Sequence, residues 1–125
     1  MTKDQASKRE AALEMLREAY QDKELKINGN AYKLPASMTH AKRLSIYAFY
    51  TQRQPEIAAG NHSFMGTKEW EKMESELFRM ITFEDMTLDK RKHFEDPKYE
   101  KDYILLMISS MGALTYPFLP ESVTD

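Results

Sequence analysis

The sequence contains no cysteine, only four glycines and five prolines, and no long apolar run. Without cysteine, the chain cannot form disulfides, use a thiolate nucleophile or bind zinc through thiolates. The longest nearly continuous apolar stretch, residues 103–114, is interrupted by Ser109, Ser110 and Gly112. It is shorter than the ~20 residues that a membrane-spanning helix needs. No apolar secretory segment follows the N-terminus. These absences favour a cytoplasmic protein with no membrane partner.

Charge of one sign is not in excess either, since 18 basic and 20 acidic residues give a net charge of -2. Proteins that bind nucleic acid non-specifically usually carry a broad basic field. The basic run at residues 90–93 is flanked by acidic residues and is interpreted as a solvated connection. We therefore expect no nucleic-acid partner.

Residue types that catalyse reactions are present, but not in the spacings that catalytic or metal sites need. His40, His62 and His93 match no metal-binding signature and are interpreted as surface or capping residues. Adjacent carboxylates such as Glu84 and Asp85 point apart on a helix, whereas acid–base pairs must converge. There is also no phosphate-binding glycine loop and no nucleophile elbow. We therefore expect no enzyme, no catalytic residues, no metal site and no cofactor.

The hydrophobic periodicity predicts an α+β fold that is mainly α, with about four helices and a short N-terminal β-hairpin. At 125 residues the chain is interpreted as a single domain, 1–125. Residues 1–22 form an N-terminal helix whose narrow, alanine-rich apolar stripe predicts loose docking. Residues 24–34 form the hairpin, and residues 36–120 form the helical part.

The hairpin is predicted from two short alternating runs on either side of Asn28-Gly29. A type I′ turn needs positive φ at both central residues, and Asn-Gly meets that need well. The pairing places Leu25 opposite Tyr32. Because an isolated hairpin is marginal in water, it must lie on a helix or join another strand, such as that of an identical chain.

A second helix begins at Ser37 or Thr39 and runs to about residue 54, before Pro55. Its predicted core stripe is Met38, Ala41, Leu44, Tyr47, Ala48 and Thr51. The remaining large apolar residues lie off this stripe; they are Ile46, Phe49 and Tyr50. Either this helix is packed on two sides, or the surplus surface binds a partner.

Pro55 to Gly66 is interpreted as a loop anchored by Ile57, Phe64 and Met65. A helix follows over residues 68–81, with Trp70, Met73 and Leu77 in its core stripe. Capping-box-like spacing at residues 82–85 predicts a short helical turn.

The last helix starts at Asp96 and Pro97, because Asp caps free N–H groups and Pro suits the first helical position. It runs to about Leu114. Its broad apolar face is predicted to contain Tyr99, Tyr103, Ile104, Met107, Ile108, Met111 and Leu114.

Several residues of these helices and of the C-terminal tail are candidates for partner binding, with packing in the helical core as the alternative interpretation of each. They are Phe49, Tyr50, Tyr103, Met107, Met111, Leu114 and Phe118. The chain has nine methionines, whose flexible and polarizable side chains fit irregular apolar partners.

The order of these parts resembles the tail assembly chaperones of tailed bacteriophages. The hairpin matches a pattern like Leu-x-Ile-Asn-Gly-x-x-Tyr-x-Leu at residues 25–34. Further segments similar to those of such phage proteins are Met86-Thr-Leu-Asp-Lys90, His93-Phe-Glu-Asp-Pro97, Asp102-Tyr103 and Pro117-Phe118-Leu119.

This resemblance implies a non-catalytic chaperone that binds the tape-measure protein, together with the tail tube protein, during tail tube assembly in the host cytoplasm. In many such phages, ribosomal frameshifting near the end of the short reading frame gives a longer product. Two alternatives remain: a small helical adaptor or inhibitor that binds one host protein, and a structural subunit of a particle. A homo-oligomer is compatible with each of them.

Overall fold

The computed structural model describes residues 3–118 and has an α+β fold that is mainly α-helical, as predicted. The α-helices in this range are α1 (Lys3–Asp22), α2 (His40–Gln52), α3 (Gln54–Ala58), α4 (Lys68–Met80), α5 (Leu88–Arg91) and α6 (Tyr103–Leu114). The strands are β1 (Glu24–Ile27), β2 (Asn30–Lys33), β3 (Thr82–Phe83) and β4 (Met86–Thr87), in one antiparallel sheet of that order. Short 3₁₀ helices cover Ser63–Gly66, His93–Glu95, Pro97–Asp102 and Tyr116–Phe118. Leu119 and Pro120 lie outside the described residues.

The first hairpin forms as the sequence predicts. Leu25 is the register partner of Tyr32, and the turn residues Asn28 and Gly29 have φ values of 51° and 85°. The inward-facing side chains of both strands are buried, with Ile27 only 1% exposed. The alternation of apolar and polar residues therefore specifies which face of the hairpin joins the core.

The prediction of a helical turn at residues 82–85 is wrong, because this segment forms a second hairpin. Phe83 pairs with Met86 across a turn in which Glu84 and Asp85 both have positive φ. Thr82 also pairs with Lys33, so β3 extends the sheet of the first hairpin. Burial of Phe83 and pairing with β2 outweigh the local helical preference.

Helix α2 presents a different face to the core than the sequence predicts. Thr39 caps it, since its hydroxyl accepts a hydrogen bond from the Lys42 N–H at 3.2 Å. Ile46 and Tyr50 are buried, whereas Leu44 is 42% exposed. Ala41 and Ala48 are exposed too. The apolar residues of this helix surround its axis, so their spacing could not identify the face that neighbouring helices would cover.

Helix α4 and its anchors match the prediction. The Thr67 hydroxyl accepts a hydrogen bond from the Trp70 N–H at 3.2 Å, and Trp70, Met73 and Leu77 are buried. The preceding segment, predicted as a loop, contains α3 and the first 3₁₀ helix. Its Phe64 is buried, as an anchor should be.

The last helix begins as a 3₁₀ helix and becomes α-helical only at Tyr103. The predicted cap at Asp96 is present, because its carboxylate accepts a hydrogen bond from the Lys98 N–H at 3.1 Å. The predicted apolar face is wrong at one position, since Ile104 is 43% exposed. Leu106, outside the predicted face, is completely buried.

The C-terminal half of α6 forms the centre of the fold, where α1 and α2 approach it closely. A Cβ atom on Gly112 would lie 2.9 Å from a methyl carbon of Leu16 and 3.0 Å from the Tyr50 hydroxyl. One turn further along, the Tyr20 and Tyr116 rings are 6.2 Å apart. α1 therefore runs parallel to α6, and its C-terminal half, including Leu16 and Ala19, is the part that is tightly packed.

Candidate functional site

A buried carboxylate joins the first hairpin to the start of α6. Asp102 has no exposed surface, and its oxygens accept three side-chain hydrogen bonds from the hairpin. The donors are the amide nitrogens of Asn28 and Asn30 and the hydroxyl of Tyr32, each at 2.7 Å. We call these residues, together with His93, the Asp102 cluster.

Donation of hydrogen bonds runs in one direction, from Arg91 through His93 and Tyr32 to Asp102. The guanidinium of Arg91 can only donate, so its contact of 3.2 Å with Nδ1 of His93 makes that nitrogen an acceptor. The proton of His93 therefore lies on Nε2 and is donated to the Tyr32 oxygen at 2.8 Å. Tyr32 in turn donates to Asp102, so the polar side-chain groups of His93, Tyr32 and Asp102 are all hydrogen-bonded.

Electrostatics favour an ionised Asp102 beside a neutral His93. Burial by itself raises the pKa of Asp102, but the hydrogen bonds from Tyr32, Asn28 and Asn30 outweigh it and hold the pKa below its ordinary value. Burial, followed by the charge of Arg91, lowers the pKa of His93. Burial and the bond to Asp102 raise the pKa of Tyr32. The cluster thus holds one negative charge, stabilised by neutral donors.

Aromatic rings cover the cluster on the side of the second hairpin. The rings of His93 and Tyr99 stack with centroids 4.0 Å apart, and Phe83 lies 5.1 Å from Tyr32. Because Tyr32 and Asp102 are completely buried, a substrate in solvent cannot reach them. The arrangement works as a clamp that fixes the hairpin against the helix.

Little in the amino-acid sequence indicates this cluster. His93 was predicted to be a surface or capping residue, yet it is only 3% exposed, because Tyr32 and Arg91 provide hydrogen-bond partners for both of its ring nitrogens within the fold. Two asparagines flanking the turn glycine were the available signal, since amides near a turn can bond a remote carboxylate. Their partner lies more than seventy residues away in sequence, so no local pattern identifies it.

A second polar contact joins α4 to the start of α6. The Tyr103 hydroxyl accepts a hydrogen bond from the Trp70 indole at 2.8 Å and donates to the Glu74 carboxylate. Burial, with Glu74 adding to it, raises the pKa of Tyr103. Tyr103 is half-buried, so its polar end is used within the fold while part of its surface remains accessible.

The structure divides the residues proposed for partner binding into a buried group and a partly exposed group. Met107 and Met111 are completely buried, and Leu114 and Tyr50 are only 3% and 7% exposed. In this fold these four side chains are core residues and offer no surface to a partner. Their helical spacing indicated burial correctly but could not distinguish a core from an interface.

The other three proposed residues, Phe49, Tyr103 and Phe118, are partly exposed. Phe49 packs against Phe64 and Trp70, with ring centroids 6.0 and 5.8 Å away. Phe118 contacts the ring of Tyr47 at 5.5 Å, on a different side of α2. They and Tyr103 do not form one continuous patch with the buried methionines.

The exposed apolar surface of α6 is on the side opposite to Leu106. Ile104 and Leu105 are 43% and 48% exposed, and Ile108, one turn later, is partly buried. Helical geometry places these three side chains on one face. We call them the Ile104 face. It begins directly after Asp102, so the clamp fixes its position relative to the hairpin.

Comparison with known proteins found no matching family model, no matching curated protein and no matching solved structure. Within residues 3–118 there is no cluster of three or more metal-ligating side chains. No helix in that part of the chain has the length and apolar character needed to cross a membrane.

Proposed function

We propose that the protein is a non-catalytic tail assembly chaperone of a tailed bacteriophage, which binds the tape-measure protein in the host cytoplasm while the tail tube assembles. The proposal rests first on the resemblance of residues 25–34 and four later segments to such chaperones.

The observation that carries the proposal is that the distant segments of this resemblance meet in the Asp102 cluster. Asn28 and Tyr32 come from the hairpin pattern, His93 opens the segment His93-Phe-Glu-Asp-Pro97, and Asp102 belongs to Asp102-Tyr103. Segments separated by up to 74 positions thus contribute side chains to one buried network. This supports reading them as one structural unit and not as scattered chance matches.

The Ile104 face is the surface that we assign to the client. A tape-measure protein is long and helical, and an amphipathic helix binds by placing apolar residues against an apolar surface. Ile104 and Leu105 provide adjacent, exposed aliphatic side chains on a helix whose start is fixed by Asp102. Of the residues predicted for the interface, Met107, Met111 and Leu114 are buried on α6, and we assign the interface to neighbouring residues on the accessible side of that helix.

Co-expression tests the proposal. The protein is produced with the long helical protein encoded next to it, and the soluble fraction of that client is measured. We expect the client to be soluble only when this chain is present. Leu105→Asp should abolish that effect without unfolding the chaperone, because acidic residues in the first turn of a helix are favourable.

Leu44→Asp is the matched control, since Leu44 is a leucine of similar exposure on α2. It should keep the client soluble. Equal activity of both variants would refute the assignment to the Ile104 face. If wild-type protein leaves client solubility unchanged, the chaperone function fails and a host-directed adaptor becomes the better hypothesis.

The coding DNA gives an independent test. The codons for Tyr116-Pro117-Phe118 can contain the slippery heptamer C-CCU-UUC, which the frameshift of such chaperones would use. An overlapping downstream frame, placed between tail-tube and tape-measure genes, is expected. Other codons together with unrelated neighbouring genes would count against the proposal.

A further inference from the structure

The outer edge of β1 has backbone groups without a backbone partner in the described part of the chain. Leu34 donates its N–H to the Lys23 carbonyl at 2.8 Å, which makes this a hydrogen-bonded pair of the β1–β2 ladder. Because such pairs alternate with non-bonded ones, the N–H and C=O groups of Glu24 and Lys26 point away from β2. Within residues 3–118, no other strand pairs with this edge.

A cavity of about 340 Å³ lies along this edge, between β1 and the C-terminal half of α1. Met15 lines it and is 40% exposed. Ala19 adds a second apolar contact. The unpaired strand edge and the exposed methionine therefore face the same open space.

We propose that a second copy of this chain occupies that space, with the two β1 strands paired antiparallel about a two-fold axis. The segment Glu24-Leu25-Lys26 is complementary to itself in this arrangement. When Leu25 lies opposite Leu25 of the second copy, Glu24 faces Lys26 and Lys26 faces Glu24. Each of these two pairs exchanges both backbone hydrogen bonds, since both residues direct their groups outward.

Backbone pairing and charge together favour this register over those shifted by one or two residues. A shift by one residue would place outward-pointing groups opposite inward-pointing ones and lose the ladder. A shift by two residues would place Glu24 opposite Glu24, or Lys26 opposite Lys26, and like charges directly opposite each other are destabilising. Only the register centred on Leu25 combines backbone pairing with two opposite-charge pairs.

Charge reversal tests the proposal by sedimentation equilibrium over a dilution series. The apparent mass of the wild-type protein should rise from that of one 14.7 kDa chain toward that of two. Glu24→Lys or Lys26→Glu alone places like charges at both pairs. Each should weaken association by roughly ten- to a hundredfold. The double variant Glu24→Lys with Lys26→Glu should restore it.

Mixing the two single variants gives the sharpest result. A Glu24→Lys chain has two lysines at its edge and a Lys26→Glu chain has two glutamates, so the two are complementary to each other. The mixture should form heterodimers while each variant alone stays monomeric. Lys68→Glu, the same charge change on the exposed start of α4, should associate as the wild type does.

Lys26→Pro and Lys26→Ala together separate strand pairing from charge attraction, because both remove the charge but only proline also removes the outward N–H, leaving the β1–β2 bonds intact. Circular dichroism and Trp70 fluorescence verify that each variant is folded. We expect the folded proline variant to be monomeric. A wild-type protein that is monomeric at every concentration, or single reversals that dimerise as strongly as wild type, would overturn the proposal.

Discussion

The two hairpins of this protein have the same kind of turn but opposite sequence signatures. Asn28 and Gly29 in the first turn have φ values of 51° and 85°, and Glu84 and Asp85 in the second have values of 50° and 65°. Left-handed φ is easy for Asn and Gly but costs about 1 to 2 kcal/mol for most other residues. The first hairpin is therefore encoded locally, whereas the second needs support from the rest of the fold.

The contacts around the two turns differ in the same way. The first turn is held to the buried Asp102 by partly buried, charge-assisted hydrogen bonds from Asn28 and Asn30. The second has an ion pair of 3.6 Å between the exposed Glu84 and the partly buried Arg91, and a longer one of 4.0 Å between the exposed Asp85 and Lys33. Exposed ion pairs contribute little, so pairing with β2 and the packing of Phe83 must hold the second hairpin in place.

The largest effect should come from removing the carboxylate that fastens the first hairpin. Asp102→Ala leaves the buried hydroxyl of Tyr32 without its acceptor and should lower the free energy of unfolding by about 3 kcal/mol. Urea denaturation followed by Trp70 fluorescence measures the change. Asp96→Ala, which removes an exposed helix cap, should cost only about 1 kcal/mol. Equal losses would show that the cluster adds no more to stability than an exposed helix cap.

A smaller loss is expected when the locally encoded turn is damaged. Gly29→Ala places a side chain at a φ of 85° and should destabilise the protein by about 1 to 2 kcal/mol. A Cβ atom at this position would meet nothing within 4 Å, so steric contact with other residues is not the cause. Gly66→Ala is the control, because Gly66 also has open space but no positive φ. Thermal melts of both variants make the comparison.

The protein should become more stable when the second turn receives the residues of the first turn. Replacing Glu84→Asn and Asp85→Gly together removes left-handed strain from two ordinary residues, at the loss of surface ion pairs. We expect a gain of about 1 kcal/mol in the free energy of unfolding by the same urea assay. A loss of stability would mean that the surface pairs matter more than the turn conformation.

The smallest effect should be a dependence of stability on pH that arises from His93. Its pKa is lowered in the fold by burial and by Arg91, so the unfolded chain binds more protons just below the ordinary value of 6.5. Stability therefore falls as the pH drops through this range. His93→Gln cannot take up the proton and should show a flatter profile, although it is less stable at neutral pH. Urea titrations of the wild type and of this variant at several pH values measure the two profiles.

The sequence predicted those elements whose signals lie within a few neighbouring residues. Asn28-Gly29 predicted the first hairpin and its register, Thr67 predicted the start of α4, and the spacing of Trp70 and Leu77 predicted its buried face. Each of these depends on local backbone preferences or on one clear periodicity. The α+β class follows from them.

The tertiary structure decided the features that depend on which surfaces meet. It buried Ile46 instead of Leu44 and Leu106 instead of Ile104, because helices that are apolar on several sides have no single face until their neighbours are placed. It brought His93 to Tyr32 and Asp102, and formed the second hairpin against β2. A residue pattern determines what a segment can bury, but the partner that covers it is set by packing between segments far apart in the chain.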